Sequence, residues 1–196
     1  MKVEEEYSPT GLRRLLEETA KLLEAAGLDE DAIALHRRAE DWDACAGLLL
    51  KHAPALLRQG RAQTLREWIA GVPAKEVDAR PWISYWHGVS QIAADQPQAI
   101  ACLEDVFREF ERRNDRLGQV ASAARIIEAI YHAYINYEAV ERWIEILDTL
   151  LNDDFPIPDR DIELRAHCSL FQATFACRPR HPRLQAGERA RRRAHH

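Results

Sequence analysis

Apolar residues recur every three to four positions along almost the whole chain. Near the N-terminus leucines carry this pattern, and charged residues fill the positions between them; these leucines are Leu12, Leu15, Leu16, Leu22 and Leu23. Such spacing places the apolar side chains on one face of a helix. We find no credible run of the strict apolar–polar alternation that indicates a half-buried strand. The pattern therefore predicts an all-α protein.

Glycine, proline, asparagine and aspartate mark the expected helix ends. Gly27 is a natural stop for the first helix, and Asp29 is the expected N-cap of a short second one. A third helix is expected to begin at Glu40 and Asp41, and Pro54 inside it predicts a kink or an early end. The remaining helices are expected over about 63–71, 80–94, 97–113, 116–135, 137–151 and 159–176.

The helices are expected to form a stack of antiparallel hairpins. Eight or nine helices with short connections must pack on their neighbours along the chain. Helix pairs begin near residues 29, 63, 81 and 116, and successive full pairs measure about 35–40 residues, close to the roughly 34-residue tetratricopeptide (TPR) unit. The best single match covers residues 82–107, where Gly88 and Ala99 are small enough for close helix approach. We therefore predict a TPR-like, right-handed superhelix over residues 1–177.

Part of the chain resembles a known family. The segments that carry the resemblance are AGLDEDAIALH (26–36), AEDWDACA (39–46), HAPALLRQG (52–60), LREW (65–68) and VP (72–73). Over about residues 10–115 the chain resembles the helical region of large ATP-binding LuxR-type transcriptional regulators, the MalT-like group. In that family a TPR-like superhelix receives an inducer, between a nucleotide-binding module and a DNA-binding helix-turn-helix.

The resemblance implies that the chain senses a ligand or a protein, and it implies no catalytic residue. The sequence has no GxxxxGK[ST] phosphate loop and no recognisable helix-turn-helix. We therefore expect either the sensor segment of such a regulator or a stand-alone relative of it.

Charge divides the chain into two parts. The formal net charge is −5, but residues 178–196 contain seven arginines and one glutamate, so the rest carries about −11. An acidic body repels nucleic acid. The arginines could contact phosphates by counterion release, but no aromatic residues are interleaved with them. We expect a tail that is disordered or foreign to the natural chain, and no direct nucleic-acid binding.

Two features bear on the compartment. The first residues are acidic and lack the apolar core of a secretory signal, and no run approaches the ~18 apolar residues of a membrane-spanning helix. The four cysteines are widely spaced and form no CxxC pair, so we expect them to be reduced, in the cytoplasm.

The sequence predicts no metal, no cofactor and no catalytic residue. With the terminal His195 and His196 set aside, the histidines His36, His52, His87, His132 and His167 are far apart, with neither an HxxxH nor an HExxH pair, and no GxSxG turn is present. An enzyme that uses the His, Cys and Asp residues in a helix-bundle pocket remains the alternative from a different class.

A binding groove is predicted from the aromatic residues and the helix order. Trp82, Tyr85 and Trp86 lie close together, either as a core plug or as partner contacts. In a TPR-like stack the first helix of each pair lines the concave surface. Residues on the free faces of helices 80–94 and 116–135 therefore form the predicted groove for a protein partner or small effector: Tyr85, Gln91, Arg125, Glu128 and His132.

Two further possibilities accompany this prediction. The chain could be a stand-alone peptide-binding scaffold or adaptor. The ends of an incomplete helical stack leave apolar faces uncovered, so homo-oligomers are also expected.

Overall fold

The computed structural model describes residues 8–133, 137–152 and 156–177, and the side chains of 8–131, 139–152 and 156–176. Within these ranges the chain is helical and contains no strand, which confirms the predicted all-α class. The ten described helices are α1 (Pro9–Ala25), α2 (Asp29–Ala39), α3 (Trp42–Arg58), α4 (Ala62–Ala70), α5 (Ala74–Asp78), α6 (Pro81–Gln91), α7 (Gln96–Arg112), α8 (Arg116–Ala133), α9 (Tyr137–Asn152) and α10 (Arg160–Cys177).

Local signals in the sequence account for most helix ends. The Ser8 hydroxyl accepts a hydrogen bond from the Gly11 N–H at 3.0 Å and caps α1. After α1 the chain turns at Gly27, whose φ of +74° is favourable for glycine. Asp41 caps α3 by accepting from the Ala44 N–H at 3.1 Å. The end of α1 and the start of α3 therefore lie close to where the sequence predicts.

One local expectation is wrong. Asp29 is the first residue of α2 and not its N-cap, which is Leu28, because its carboxylate is bound by side chains of α3. The third helix contains Pro54 and ends at Arg58, next to the predicted end at Gln59 and Gly60. The five-residue helix α5 was not predicted, because one turn is too short to give a periodic signal.

The first compact unit comprises Met1–Ser90. Helix α1 packs on α2, α2 on α3 and α3 on α4. Its core is aliphatic at the centre, with Leu49 and Leu65 almost fully buried, and Trp42 and Trp86 packed against it. The burial of one face of each helix is the expected consequence of the 3.6-residue pattern.

The second compact unit comprises Gln91–His196. Helix α8 lies at its centre and packs on α7, α9 and α10, and α10 also contacts α9. Contacts to the next helix and to the one after it are those expected within a stack of helical hairpins. Because α8 is surrounded, several of its buried positions hold small side chains, with Ala121, Ala123 and Ala124 at most 1% exposed.

Candidate partner-binding groove

A groove of about 720 Å³ lies between α7 and α9 in the second unit. Both helices pack on α8, which contributes Gln119 to the lining. The residues that line this α7–α9 groove are Glu104, Phe107, Arg108 and Glu111 of α7, Gln119 of α8, and Arg142, Trp143, Glu145, Ile146, Thr149 and Leu150 of α9. On both outer helices they recur at helical spacing, so each helix presents one continuous face to the groove.

The base of the groove is apolar and aromatic. The rings of Phe107 and Trp143 meet edge to face, with centroids 5.0 Å apart and planes at 85°. Both residues are buried, and Leu150 extends the apolar surface along α9. The Arg142 guanidinium carbon lies 5.7 Å from the centroid of the Trp143 ring, a cation–π contact at the groove wall. The fixed ring pair gives the groove a rigid base.

The rim of the groove is charged, and part of this charge is not neutralised. On α7, Arg108 pairs with Asp105. Neither Glu104 nor Glu111 forms an ion pair with a basic side chain in the part of the chain that the structure describes. These two carboxylates lie seven residues apart on the same helix face, so the α7 side of the groove is acidic.

The five residues predicted for the concave groove lie in different environments in the structure. Tyr85 is only 2% exposed and meets the rings of Trp82 and Trp86 edge to face, so it belongs to the core and not to a free helix face. Gln91, at the end of α6, is half-buried. The side chain of His132 lies outside the described residues.

Arg125 and Glu128 do lie together, on α8. Their side chains form an ion pair of 2.8 Å, and Arg165 of α10 approaches the same Glu128 oxygen at 3.5 Å. The Arg125 side chain is only 13% exposed. This cluster links α8 to α10. Arg165 is its most exposed side chain. Neither Arg125 nor Glu128 lines the α7–α9 groove.

The α7–α9 groove was not predicted from the sequence, because the sequence analysis placed the binding surface on the first helix of each pair. The available signal was the combination of Phe107 and Trp143 with charged residues at neighbouring positions. That signal is weak, because most amphipathic helices contain apolar and charged residues side by side. Only the packing of α7 and α9 on a common neighbour brings the two faces together.

An ionic cluster in the first unit joins α1, α2 and α3. His36 is completely buried, with Nε2 2.6 Å from Glu24 and Nδ1 3.4 Å from Asp41. The two carboxylates lie at opposite nitrogens of the ring, so they cannot converge on a single ion with it. Among the described residues, no three His, Cys, Asp or Glu side chains form a group that could hold a metal.

A second ionic cluster joins α2 to α3. One Asp29 oxygen accepts from Lys51 Nζ at 2.8 Å and from His52 Nε2 at 2.5 Å, while the other is buried without a hydrogen bond. The hydrogen bond from Lys51, and then that from His52, lowers the pKa of Asp29 below 3.8, although burial opposes the shift. No nucleophile adjoins His52 in this cluster; its ring instead packs edge-on against Trp68. Both ionic clusters are therefore helix-to-helix links.

The cysteines differ in accessibility. Cys45, Cys102 and Cys168 are free thiols, and they are buried, half-buried and exposed in that order. Burial raises the pKa of Cys45 to about 11, so this thiol is protonated at neutral pH and unreactive.

Comparison with known protein families, curated proteins and solved structures finds no match to this chain. The resemblance to LuxR-type regulators thus stays a prediction. Among the described helices, none combines the length and apolar character that a membrane crossing requires.

Proposed function

We propose that the chain is a non-catalytic binding module, and that the α7–α9 groove receives a basic helical segment of a protein partner. The observation that supports this is the make-up of the groove, an aromatic base beneath an acidic α7 rim. Protein interfaces commonly place buried aromatic anchors at the centre and charged residues around them.

The shape of the groove favours a helix over a small effector. Glu104 and Glu111 are seven residues apart on α7, which corresponds to about 10 Å along the helix axis, or two turns of a partner helix. Apolar residues at i, i+3 or i+4, and i+7 of such a helix would contact the half-buried Ile146 and the accessible edges of the buried Phe107 and Trp143. Small-molecule sites are in general more enclosed and carry fewer charges.

The charge of the rim favours a basic partner. A lysine or arginine beside the apolar stripe of the partner would meet Glu104 or Glu111, whose carboxylates form no ion pair with a basic side chain among the described residues. A partner with acidic residues at the same positions would bring like charges together and bind more weakly.

A helical-peptide display library selected against the full chain tests this proposal. We expect the enriched peptides to be cationic and amphipathic and to slow amide hydrogen exchange in α7 and α9. Thr149→Trp should weaken their binding by at least about tenfold, because Thr149 is exposed and an indole there fills the groove. Ala101→Trp is the matched control, since Ala101 is exposed on α7 but does not line the groove.

Charge reversal separates groove binding from general attraction to an acidic protein. Glu104→Lys with Glu111→Lys should abolish binding of the selected peptides, whereas Glu67→Lys, an exposed site in the first unit, should not. Peptides that protect other helices, or that bind Thr149→Trp as tightly as the wild type, would show that the groove is not the site. The groove is also not the site if selection against the wild type enriches no peptide relative to selection against Thr149→Trp.

The resemblance to LuxR-type regulators suggests a context for such a module. We propose that it acts as the sensor segment of a MalT-like transcriptional regulator, in the cytoplasm, where free thiols such as Cys168 are maintained. The genomic reading frame tests this directly: a phosphate loop encoded upstream and a helix-turn-helix downstream are expected. A stand-alone reading frame without them would instead favour an adaptor.

A further inference from the structure

Helices α7 and α9 run in the same direction along the α7–α9 groove. Gln96 at the start of α7 donates to the Ala129 carbonyl near the end of α8, so these two helices are antiparallel. Arg116 at the start of α8 donates to the Leu150 carbonyl near the end of α9 at 3.1 Å, so α8 and α9 are antiparallel as well. The C-terminal ends of α7 and α9 therefore lie at the same end of the groove.

The two ends of the groove differ in charge. Because Phe107 and Trp143 lie side by side, Arg142 and Glu104 lie toward the end where α7 and α9 begin. Glu111, one turn after Phe107, lies toward the other end, where the dipoles of both helices are negative. Arg142 is exposed and forms no ion pair with an acidic side chain in the described part of the chain. An arginine that no carboxylate neutralises therefore lies at one end of the groove only.

Two other arginines of this chain bind the carbonyl end of a helix. Arg66 donates to the Ser90 carbonyl, one residue before the end of α6, and Arg116 donates to the Leu150 carbonyl, two residues before the end of α9. The last carbonyl groups of a helix have no partner within it and carry partial negative charge, so they attract a guanidinium. Arg142 can make the same contact with a helix from outside, because a guanidinium that lies over an aromatic ring keeps its N–H edge for hydrogen bonds.

We propose that Arg142 binds the C-terminal carbonyl groups of the partner helix, which therefore lies antiparallel to α7 and α9. This binding mode rests on the proposed function and adds that the partner helix ends within the groove. In this orientation the N–H end of the partner lies toward Glu111, and a basic residue in its last turn meets Glu104. The reverse orientation would place Arg142 against the N–H end and Glu111 against the carbonyl end, and both contacts would be unfavourable.

Two amidated peptides made from one enriched library sequence test the role of Arg142 by their affinity for the full chain. The first peptide ends with the last turn of its helix. The second is longer by two alanine-rich turns, which move its carbonyl end about 11 Å beyond Arg142. We expect Arg142→Gln to weaken binding of the first peptide by at least about threefold and not to weaken binding of the second. Damage to the groove from loss of the contact between Arg142 and Trp143 would instead weaken both.

Arg108→Gln is the matched control, since Arg108 also lines the groove but pairs with Asp105 on its own helix. If the peptides responded only to the overall charge of the groove, loss of either arginine would tighten the binding of a cationic peptide. A contact between Arg142 and the carbonyl end predicts that Arg142→Gln alone weakens it. Arg142→Lys keeps the positive charge and should retain most of the affinity for the first peptide.

A nitroxide at either end of the first peptide reports its orientation, because it broadens the amide NMR signals of nearby residues. We expect the N-terminal label to broaden Thr149 more than Glu104, and the C-terminal label to do the opposite. Reversed or equal broadening would overturn the proposal although the peptide binds in the groove, as would a first peptide that binds Arg142→Gln as tightly as the wild type. If no enriched peptide binds in the groove, the proposed function fails and the role of Arg142 fails with it.

Discussion

At the scale of single residues, buried charges are accommodated by specific partners. Asp29 is 8% exposed, yet it stays ionised because Lys51 and His52 donate to the same carboxylate oxygen. Removing the Asp29 carboxylate would leave Lys51 and His52 without their anionic partner at a partly buried site. Asp29 therefore couples α2 to α3 through electrostatics and not as a helix cap.

This arrangement predicts a pH dependence of stability. The folded-state pKa of Asp29 lies below 3.8, so folding favours the charged form. The stabilisation is therefore fully present above about pH 4 and is lost as the pH falls through the lowered folded-state value. Urea unfolding followed between about pH 2.5 and pH 7 should show that Asp29→Asn is less stable than the wild type at neutral pH, and that the difference shrinks in acid.

Asp31→Asn is the control for this prediction. Asp31 lies in the first turn of the same helix but is exposed, so its loss should change stability little at any pH. An equal loss in both variants would assign the effect to the helix dipole and not to the Lys51 and His52 contacts.

Residue roles were predictable from the sequence only in part. That Tyr85 belongs to an aromatic cluster follows from its neighbours at helical spacing. Whether Tyr85 or Trp82 would be the buried member does not, because both have an apolar body and a polar tip. Only the tertiary structure decides it: Tyr85 is 2% exposed, whereas Trp82 is half-buried.

At the scale of elements, the approach of α7 to α8 depends on a glycine. A Cβ at Gly118 would overlap the ring of Phe110, which is 1% exposed and cannot move aside easily. The Gly118 N–H also donates to the Asp115 carboxylate at 2.9 Å, at the start of α8. The glycine allows the ring to lie directly on the backbone of the neighbouring helix.

We therefore expect Gly118→Ala to lower the free energy of unfolding by about 1–3 kcal/mol, the usual cost of overpacking. Gly47 provides the matched comparison, since it lies within α3 and a Cβ added there would meet no atom within 4 Å. Gly47→Ala should stabilise by about 0.5–1 kcal/mol, as alanine does in a helix. Chemical denaturation of the two variants measures both values, and a stabilising Gly118→Ala would contradict the close approach.

Most helix boundaries were predictable because the signals are local. Apolar periodicity, an N-cap such as Asp41 and a stop such as Gly27 act within one or two turns. The exceptions have a tertiary cause or are too short to detect. The Asp29 carboxylate is recruited by residues of α3, and α5 spans only five residues.

At the scale of the whole molecule, each of the two compact units contains its own buried residues. Leu65 belongs to the core of the first unit and Leu147 lies in α9 of the second, and both are 0% exposed. Leu→Ala at a fully buried site lowers the free energy of unfolding by about 2–5 kcal/mol. The two substitutions are therefore comparable in size and differ in the unit that they affect.

The pair tests whether the units unfold separately. We expect Leu65→Ala to speed amide hydrogen exchange in α2, α3 and α4, and Leu147→Ala to speed it in α7, α8 and α9. Hydrogen-exchange mass spectrometry in dilute denaturant measures the rates for every helix in one experiment. Equal acceleration along the whole chain in both variants would instead indicate one cooperative unit.

The sequence by itself determined that this protein is all-α, where most of its helices begin and end, and that its charge is divided between an acidic body and a basic end. These properties follow from local periodicity, capping and composition. Only the tertiary structure decided which apolar faces are covered. Helix α10 has apolar residues on both sides, and periodicity cannot distinguish the side that meets α8 from the side that exposes Phe171 and Phe175. The α7–α9 groove likewise exists only because two helices distant in sequence pack on α8.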